Sequence, residues 1–555
     1  MMSMWPRKSY EIPVQTVQVA HTAFPKGTLA IRVRDAVGEV FSDAQFGDLF
    51  GARGHPALSP ARLVMVTVLQ YSEGLSDRQA ADAVRGRLDW KYCLGLELTD
   101  PGFDASVLSE FRARLVAGHA DERLLGRMLE VLRERGLLAG GGRQRTDSTH
   151  VLAAVRALSN LELVVETMRA ALEALAVAAP DWLAGIVEDD WWERYEQRAS
   201  DYRLPRAEAA REEQSLQVGK DGFRLLEAIW SPAAPYWLRQ MPAADVLRRV
   251  WVQRFLRTGT VVQRRTKGDE PPGALRIGSP YDTQARYGHK RGHGWFGYKA
   301  HVTEVCTPGR PQVIVHVATT EASLADVETV ADRHTGLAEE GLTPAEHLAD
   351  AGYISVGHIL TAAAEHNIAL VGPLPSDSHW QARDPDAYDL SHFTVDWDAR
   401  QVTCPQGKTA RAWRNDVSRD GLPVIHVAFP PTGCFRCPDR PRCTKANAVG
   451  RSLTLRPRAQ YEAQHRIRAE QTTDTWKKLY AQRSGVEGAI AQASRRSNIH
   501  QARYRGLDRI HLQHTLTALA LNIVRVDAWL NGLTPAGSWT TKLTHFHRSL
   551  TAGAL

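Results

Sequence analysis

The stretch RQRTDSTHV, residues 143–151, decides how the chain is read. It follows the break Gly140-Gly141-Gly142 and reads as a strand running into a helix at VLAAV, with Asp147 set within it. Two further acids stand in comparable settings. Asp350, in EHLADAGYIS, sits at the tip of a short apolar strand, and Glu487, in YAQRSGVEGAIAQASRR, lies on an Arg-rich helical stretch. Carboxylates drawn together from distant parts of a chain typically hold Mg²⁺, a hard cation that takes oxygen ligands. Two such ions about 4 Å apart can activate a water or a 3′-hydroxyl and stabilise the leaving oxygen of a phosphodiester transfer. Each acid also has a plainer reading. Asp147 suits a turn or cap before Ser148-Thr149, and Asp350 suits an Asx-turn at Asp-Ala-Gly. Arg483 and Glu487, spaced i,i+4, suit a surface helix pair worth only ~0.3–0.5 kcal/mol.

Working outward, WFGYKAHVTEVCT and QVIVHVATT read as antiparallel strands joined across Pro308-Gly309-Arg310-Pro311. A helix at SLADVETVADRHTGL, the strand ending at Asp350, a helix over 355–366 and the strand IALVGPL follow. This order is a mixed α/β sheet with Asp on its first and fourth strands. Upstream, SPARLVMVTVLQYSEG and LSDRQAADAVRGRLDWKYCLGL read as a helical pair, with Ser59 and Ser76 as N-caps and Pro60 at a first helical position. That outline is a helix-turn-helix whose second helix would present Asp77, Arg78 and Gln79 to a major groove; an ordinary helical hairpin fits equally.

The expected organisation is an all-helical N-terminal DNA-binding or dimerisation domain (1–139), a mixed-sheet catalytic domain in three pieces (140–158, 276–390, 451–530), a helical insertion (159–275), a small Cys-rich β insertion (391–450) and a tail (531–555). The 555 residues are too many for one core.

The net charge of +7 is mild, but it is concentrated: residues 451–509 hold 13 Lys and Arg against 5 Asp and Glu. A basic stretch beside a carboxylate is how a nuclease would hold phosphates near its metal. The start MMSMWPRKSYEIPVQ has no apolar signal region, and no run approaches a membrane span, so a cytoplasmic protein with no membrane partner is expected. Cys404, then Cys434, Cys437 and Cys443 in CFRCPDRPRC, give four thiolates within 40 residues, enough for one tetrahedral structural Zn²⁺; free or buried thiols are the alternative. Cys93 and Cys306 read as core residues. RYGHKRGHGWFGYK offers Lys290, Arg291 and Lys299 to a DNA backbone, and ARYRGLDRIHLQH offers Arg503, Arg505 and Arg509 on the helix after Glu487.

From about Phe46 to Trp529 the chain resembles insertion-sequence DDE transposases, on the stretches SPARLVMVTVLQYSEGLSDRQAADAV, RTDSTHV, GYKAHVTE, EHLADAGY, RSGVEGAIAQA and RYRGLDRIHLQHTLTALALNIVR. It looks most like the branch with a cysteine-rich insert before the glutamate helix. The resemblance implies an RNase H-like catalytic domain with Asp147, Asp350 and Glu487 as its acids, holding two Mg²⁺ (or Mn²⁺) ions. It also implies terminal inverted repeats and target DNA as partners, and synapsis of two ends by a homodimer. In the family signature Tyr-x2-Arg-x3-Glu-x6-Lys, Tyr480, Arg483 and Glu487 fit; the Lys position holds Ser494, with Arg495 and Arg496 immediately after. A transposase-derived regulator and an RNase H-like nuclease that cuts without joining are the alternatives, against which stand the three acids together and the near full-length match.

Overall fold

The computed structural model describes residues 2–533 except 5–9, 52, 200–203, 267, 291, 375–376, 378 and 420. The chain divides into two compact units, one of residues 1–139, 147–324 and 486–555, the other of 140–146 and 325–485. Most of the expected 531–555 tail lies outside the described residues.

In the first unit, helix α1 (Pro60–Glu73) begins where Ser59 Oγ accepts the Arg62 N–H at 3.1 Å and ends at Gly74, whose φ of 71° suits glycine. Helix α2 (Asp77–Gly86) opens on a capping box between Ser76 and Gln79. The expected helix, short turn, helix outline is therefore present. Two further helices, α3 (Val486–Ser497) and α4 (Leu507–Leu530), return to this unit from the far end of the sequence. α4 is buried on all sides from Leu512 to Ile523, its polar groups Gln513, His514 and Asn522 included, and α1 packs against it. Asp527 on α4 takes a bidentate pair from Arg32, both bonds 2.7 Å.

The insertion after Ser159 has its own core, built from the helices Asn160–Ala178, Glu208–Trp230 and Pro242–Arg254 around Met168, Leu225, Leu247 and Trp251. Its first helix starts at Asn160 on a Ser159–Glu162 capping box, so the strand at 143–152 does not run directly into a helix as VLAAV suggested.

The sheet is mixed. Its strands are β1 (Arg143–Leu152), β2 (Arg286–Lys290), β3 (His293–Val305), β4 (Ile314–Glu321), β5 (Glu346–Ala349) and β6 (Ala369–Val371), in the order β6-β5-β1-β3-β2 with β4 on β3. β6 and β5, and β5 and β1, run parallel; β2 and β3, and β3 and β4, run antiparallel. A mixed sheet with flanking helices accords with the expected RNase H-like core. β2 had no place in the expected strand order, so Asp350 follows the fifth strand of this sheet and not the fourth. The cause is local: Gly288 stands opposite Trp295, and a Cβ on it would fall 2.5 Å from the indole ring. The glycine that breaks the strand pattern is there to admit the tryptophan. α4 is tied to the β4 edge by Asn522, whose Oδ1 accepts the Ile314 N–H at 2.7 Å and whose Nδ2 donates to the Ile314 carbonyl at 2.8 Å.

The second unit holds β5, β6 and the start of β1 with the helices Val330–Glu339 and Val356–His366. It also holds a β-rich module, Thr394–Leu455, around Phe393, Val402, Val427, Phe429 and Leu455. Among the described residues no helix is long and apolar enough to cross a membrane.

Two buried histidines should make the fold acid-sensitive. Burial pushes His514 on α4 down to about 3 and His334 down to about 4, from an ordinary 6.5. His514 Nδ1 lies 2.7 Å from Thr319 Oγ1, and its Nε2 is buried with no hydrogen-bond partner, so protonation would strand an N–H there. A folded pKa below the unfolded one stabilises above pH ~6.5, and that contribution is lost as pH falls toward 4 and 3, at about 1.4 kcal/mol per unit of depression. The melting temperature of His514→Gln should therefore fall less between pH 7 and pH 4 than the wild type's. Parallel curves would remove His514 from the acid response.

Candidate active site

β1 and β5 are paired in parallel from Arg143 opposite Glu346 to Thr146 opposite Ala349. The next residue along each chain is an aspartate: Asp147 after Thr146, Asp350 after Ala349. The Arg143 Nε bond to Glu346, 2.7 Å, helps hold this register.

Asp350 leaves the strand end by capping the short turn Ala351–Tyr353, its Oδ1 accepting the Gly352 N–H at 2.9 Å. The Asx-turn is real, and it uses one oxygen only. Oδ2 lies 3.6 Å from the Arg483 guanidinium. Asp147 is 8 % exposed, with Oδ1 2.8 Å from the N–H of Ser148. Glu487 lies in the first turn of α3 and is exposed, because Val486, Ala489 and Ala493 turn the opposite face inward. A helix N-terminus carries a partial positive charge that favours an acid there.

Arg483 is not on the α-helical face of Glu487, as the i,i+4 spacing suggested. Residues Gln482–Gly485 form a tighter 3-10 turn ahead of α3, and this winding carries Arg483 toward Asp350.

The stretches before and after Glu487 each bond to β1. Gln482 lies at its start, where its side-chain oxygen accepts from Arg143 and its carbonyl from Arg145, each at 2.7 Å. A Cβ on Gly485 would fall 2.0 Å from Arg145 Nη1. At the other end, the Leu152 N–H donates to the His500 carbonyl at 2.7 Å, the Ala502 N–H to the Leu152 carbonyl at 2.8 Å, and the His150 and His500 rings stack 4.7 Å apart. Arg145 and Gly485 were missed in the sequence, where an arginine in a strand and a glycine before a helix carry no signal of each other.

The residues expected to touch DNA fare unequally. Arg78 and Arg495 are exposed. Gln79 Oε1 accepts the Ser76 N–H at 2.9 Å, and Asp77 pairs with Arg112 at 2.5 Å. Arg496 donates to the Ser72 carbonyl at the end of α1, 2.9 Å, and Lys299 to the Leu324 carbonyl, 2.6 Å. Lys290 lies 3.4 Å from Ser148 Oγ. Tyr480 stacks on Trp476 with ring centres 4.9 Å apart. Arg503 and Arg505 lie over the rings of Tyr71 and Tyr281 in the link between α3 and α4, not on a helix, while Arg509 is in the first turn of α4. Arg291 lies outside the described residues.

Cys404, Cys434, Cys437 and Cys443 line one pocket of the β-rich module. The Lys408 N–H points at Cys404 Sγ, 3.3 Å, and the Arg451 N–H at Cys434 Sγ, 3.4 Å. Burial pushes the Cys443 thiol up to about 11, Arg451 opposing this and the other three sulfurs adding to it. Among the described residues no group of three or more His, Cys, Asp or Glu is arranged to hold a metal ion. Cys93 and Cys306 are buried, as expected of core residues.

The family profile described as a transposase DDE domain matches residues 403–526. A second, described as a transposase domain (DUF772), matches residues 18–114. Two transposase profiles thus match separate parts of the chain, which indicates an insertion-sequence DDE transposase. The second match carries the likeness upstream of Phe46 and takes in α1 and α2. The DDE match contains the four cysteines and Glu487, while Asp147 and Asp350 lie before it. No curated protein sequence matches this transposase.

Proposed function

We propose that this transposase binds the terminal inverted repeats of its insertion sequence, cuts at their ends and joins the freed 3′-hydroxyls to target DNA, with Asp147, Asp350 and Glu487 holding two Mg²⁺ (or Mn²⁺) ions. The register of β1 and β5 carries this reading, since the first position beyond the last paired residues is an aspartate on both strands. The course of residues 482–502 along β1 supports assigning Glu487 as the third acid. Hard carboxylate oxygens suit these cations.

When bound, the ions would lower the pKa of the attacking water or hydroxyl and offset charge on the departing oxygen. The chain's own groups do the rest. The Gly352 N–H holds Asp350 Oδ1 and so fixes which oxygen faces outward. Arg483 offsets the charge of Oδ2 and can clamp a phosphate of the bound strand. In the first reaction water attacks the phosphorus at the element end and a 3′-hydroxyl leaves. In the second that hydroxyl attacks a target phosphodiester, one P–O bond forming as another breaks, with a target 3′-hydroxyl leaving. Two ends held by two chains would make the joining concerted.

Labelled element ends incubated with a plasmid test this directly. The proposal expects joined product in Mg²⁺ and none with chelator. Cut but unjoined ends would favour the nuclease, and a mobility shift without cutting the regulator. Gly485→Ala should lower joining by roughly 10²-fold, the scale of an ångström-level misplacement. Adding Arg145→Ala should recover part of that loss by opening space. A double variant as impaired as the single would show that the clash with Arg145 is not the cause.

We also infer that the four cysteines hold a structural Zn²⁺. Backbone N–H groups aimed at sulfur suit thiolates, and four sulfurs lining one pocket are the donor set of a closed tetrahedral site.

A further inference from the structure

β5 carries one histidine, His347, three residues ahead of Asp350. It is 1 % exposed. Its Nε2 lies 2.6 Å from Oγ1 of Thr146, itself fully buried, and its Nδ1 lies 2.8 Å from Nε2 of His334 on the helix Val330–Glu339. The backbone partner of His347 across the strands is Gln144, so the imidazole reaches diagonally to the last paired residue of β1. Beyond that residue the ladder stops and β5 turns at Asp350 into its capped turn.

A ladder's last pair has a neighbour on one side only and is the first to fray. A rigid ring bonded at both nitrogens, one bond to β1 and one to the helix behind β5, removes that freedom. Buried imidazoles cost desolvation unless both polar ends are satisfied, and a leucine would fill similar space without that cost. Two of them in series are explained by the direction they impose.

We propose that His347, braced by His334, is a positioning residue that holds the end of β5, and with it Asp350, in the register a metal-binding carboxylate needs. This rests on the reading of Asp350 as a metal-holding acid.

Titration of the full chain with Mn²⁺ alone, followed calorimetrically, tests it with wild type, Asp350→Asn, His347→Leu, His347→Gln and Thr146→Val. His347→Leu is expected to bind Mn²⁺ roughly tenfold more weakly, the scale on which a lost hydrogen-bond partner behind a metal site is felt. His347→Gln, whose amide can still bond Thr146, should stay within about twofold of wild type, a rescue that space-filling alone would not give. Thr146→Val removes the hydroxyl with little change of shape and should weaken binding as His347→Leu does, which covers the case in which the leucine variant fails to fold. Wild-type affinity in folded His347→Leu or in Thr146→Val overturns the proposal, as does a glutamine variant no better than the leucine. If Asp350→Asn binds Mn²⁺ as tightly as wild type, or wild type binds none, the reading of Asp350 fails and the positioning role falls with it.

Discussion

Asp147→Asn, Asp350→Asn and Glu487→Gln are each expected to lower joining of element ends by about three orders of magnitude, close to 4 kcal/mol of transition-state stabilisation. Folding should barely notice. Asn at 147 keeps an oxygen for the Ser148 N–H, Asn at 350 keeps one for the Gly352 N–H, and Glu487 is exposed. What each change removes is charge. Affinity for end DNA should hold or rise slightly, since a negative group facing phosphates is lost. The measurement is joined product per hour beside a mobility shift on the same DNA. A variant that still joins at a tenth of the wild-type rate is not missing a metal ligand.

The second large effect is expected in the β-rich module. If the four cysteines hold zinc, elemental analysis of protein prepared without chelator should find about one zinc per chain, as a closed four-thiolate site takes one metal. Cys437→Ser should release it. Apparent binding energies of ~10 kcal/mol or more for such sites are folding energy, so residues 395–444 should lose protection from hydrogen exchange while α4 keeps its own. Mn²⁺ affinity should not change, because the acids stand on the sheet and on α3. Finding no metal, with four thiols open to alkylation, would return these cysteines to the role of packing around Phe429 and Leu455.

Much of the fold was legible because its signals are local. Ser59-Pro60 and Ser76 announce two helix starts, and both caps form as written. The β3–β4 hairpin shows in its branched and aromatic residues and in the turn between. β2 was hidden because Gly288 and its charged neighbours carry no strand signal, and only the opposing Trp295 explains the glycine. At the site, the aspartates could be singled out from their strand-end contexts, but their common register is a pairing between residues two hundred positions apart. The same limit hid His347, Arg145 and Gly485, whose partners are remote in sequence. Arg483 was misread for another reason: spacing assumed an α-helix where the chain winds as a 3-10 turn. The carbonyls to which Arg496 and Lys299 donate were equally hidden, because charge is visible in a sequence and a remote acceptor for it is not.

The most direct test of the central claim exchanges one acid for a softer ligand. Asp350→Cys puts a thiolate where a carboxylate stood, and thiolates bind Mn²⁺ better than Mg²⁺. End joining by this variant should be lost in Mg²⁺ and recover at least about tenfold when Mn²⁺ replaces it, while Asp350→Ala, with no ligand atom, stays inactive in both. Joining by Asp350→Cys at the wild-type rate in Mg²⁺, or equal loss in the two metals, would contradict the assignment of Asp350 to the metal site and with it the proposed chemistry.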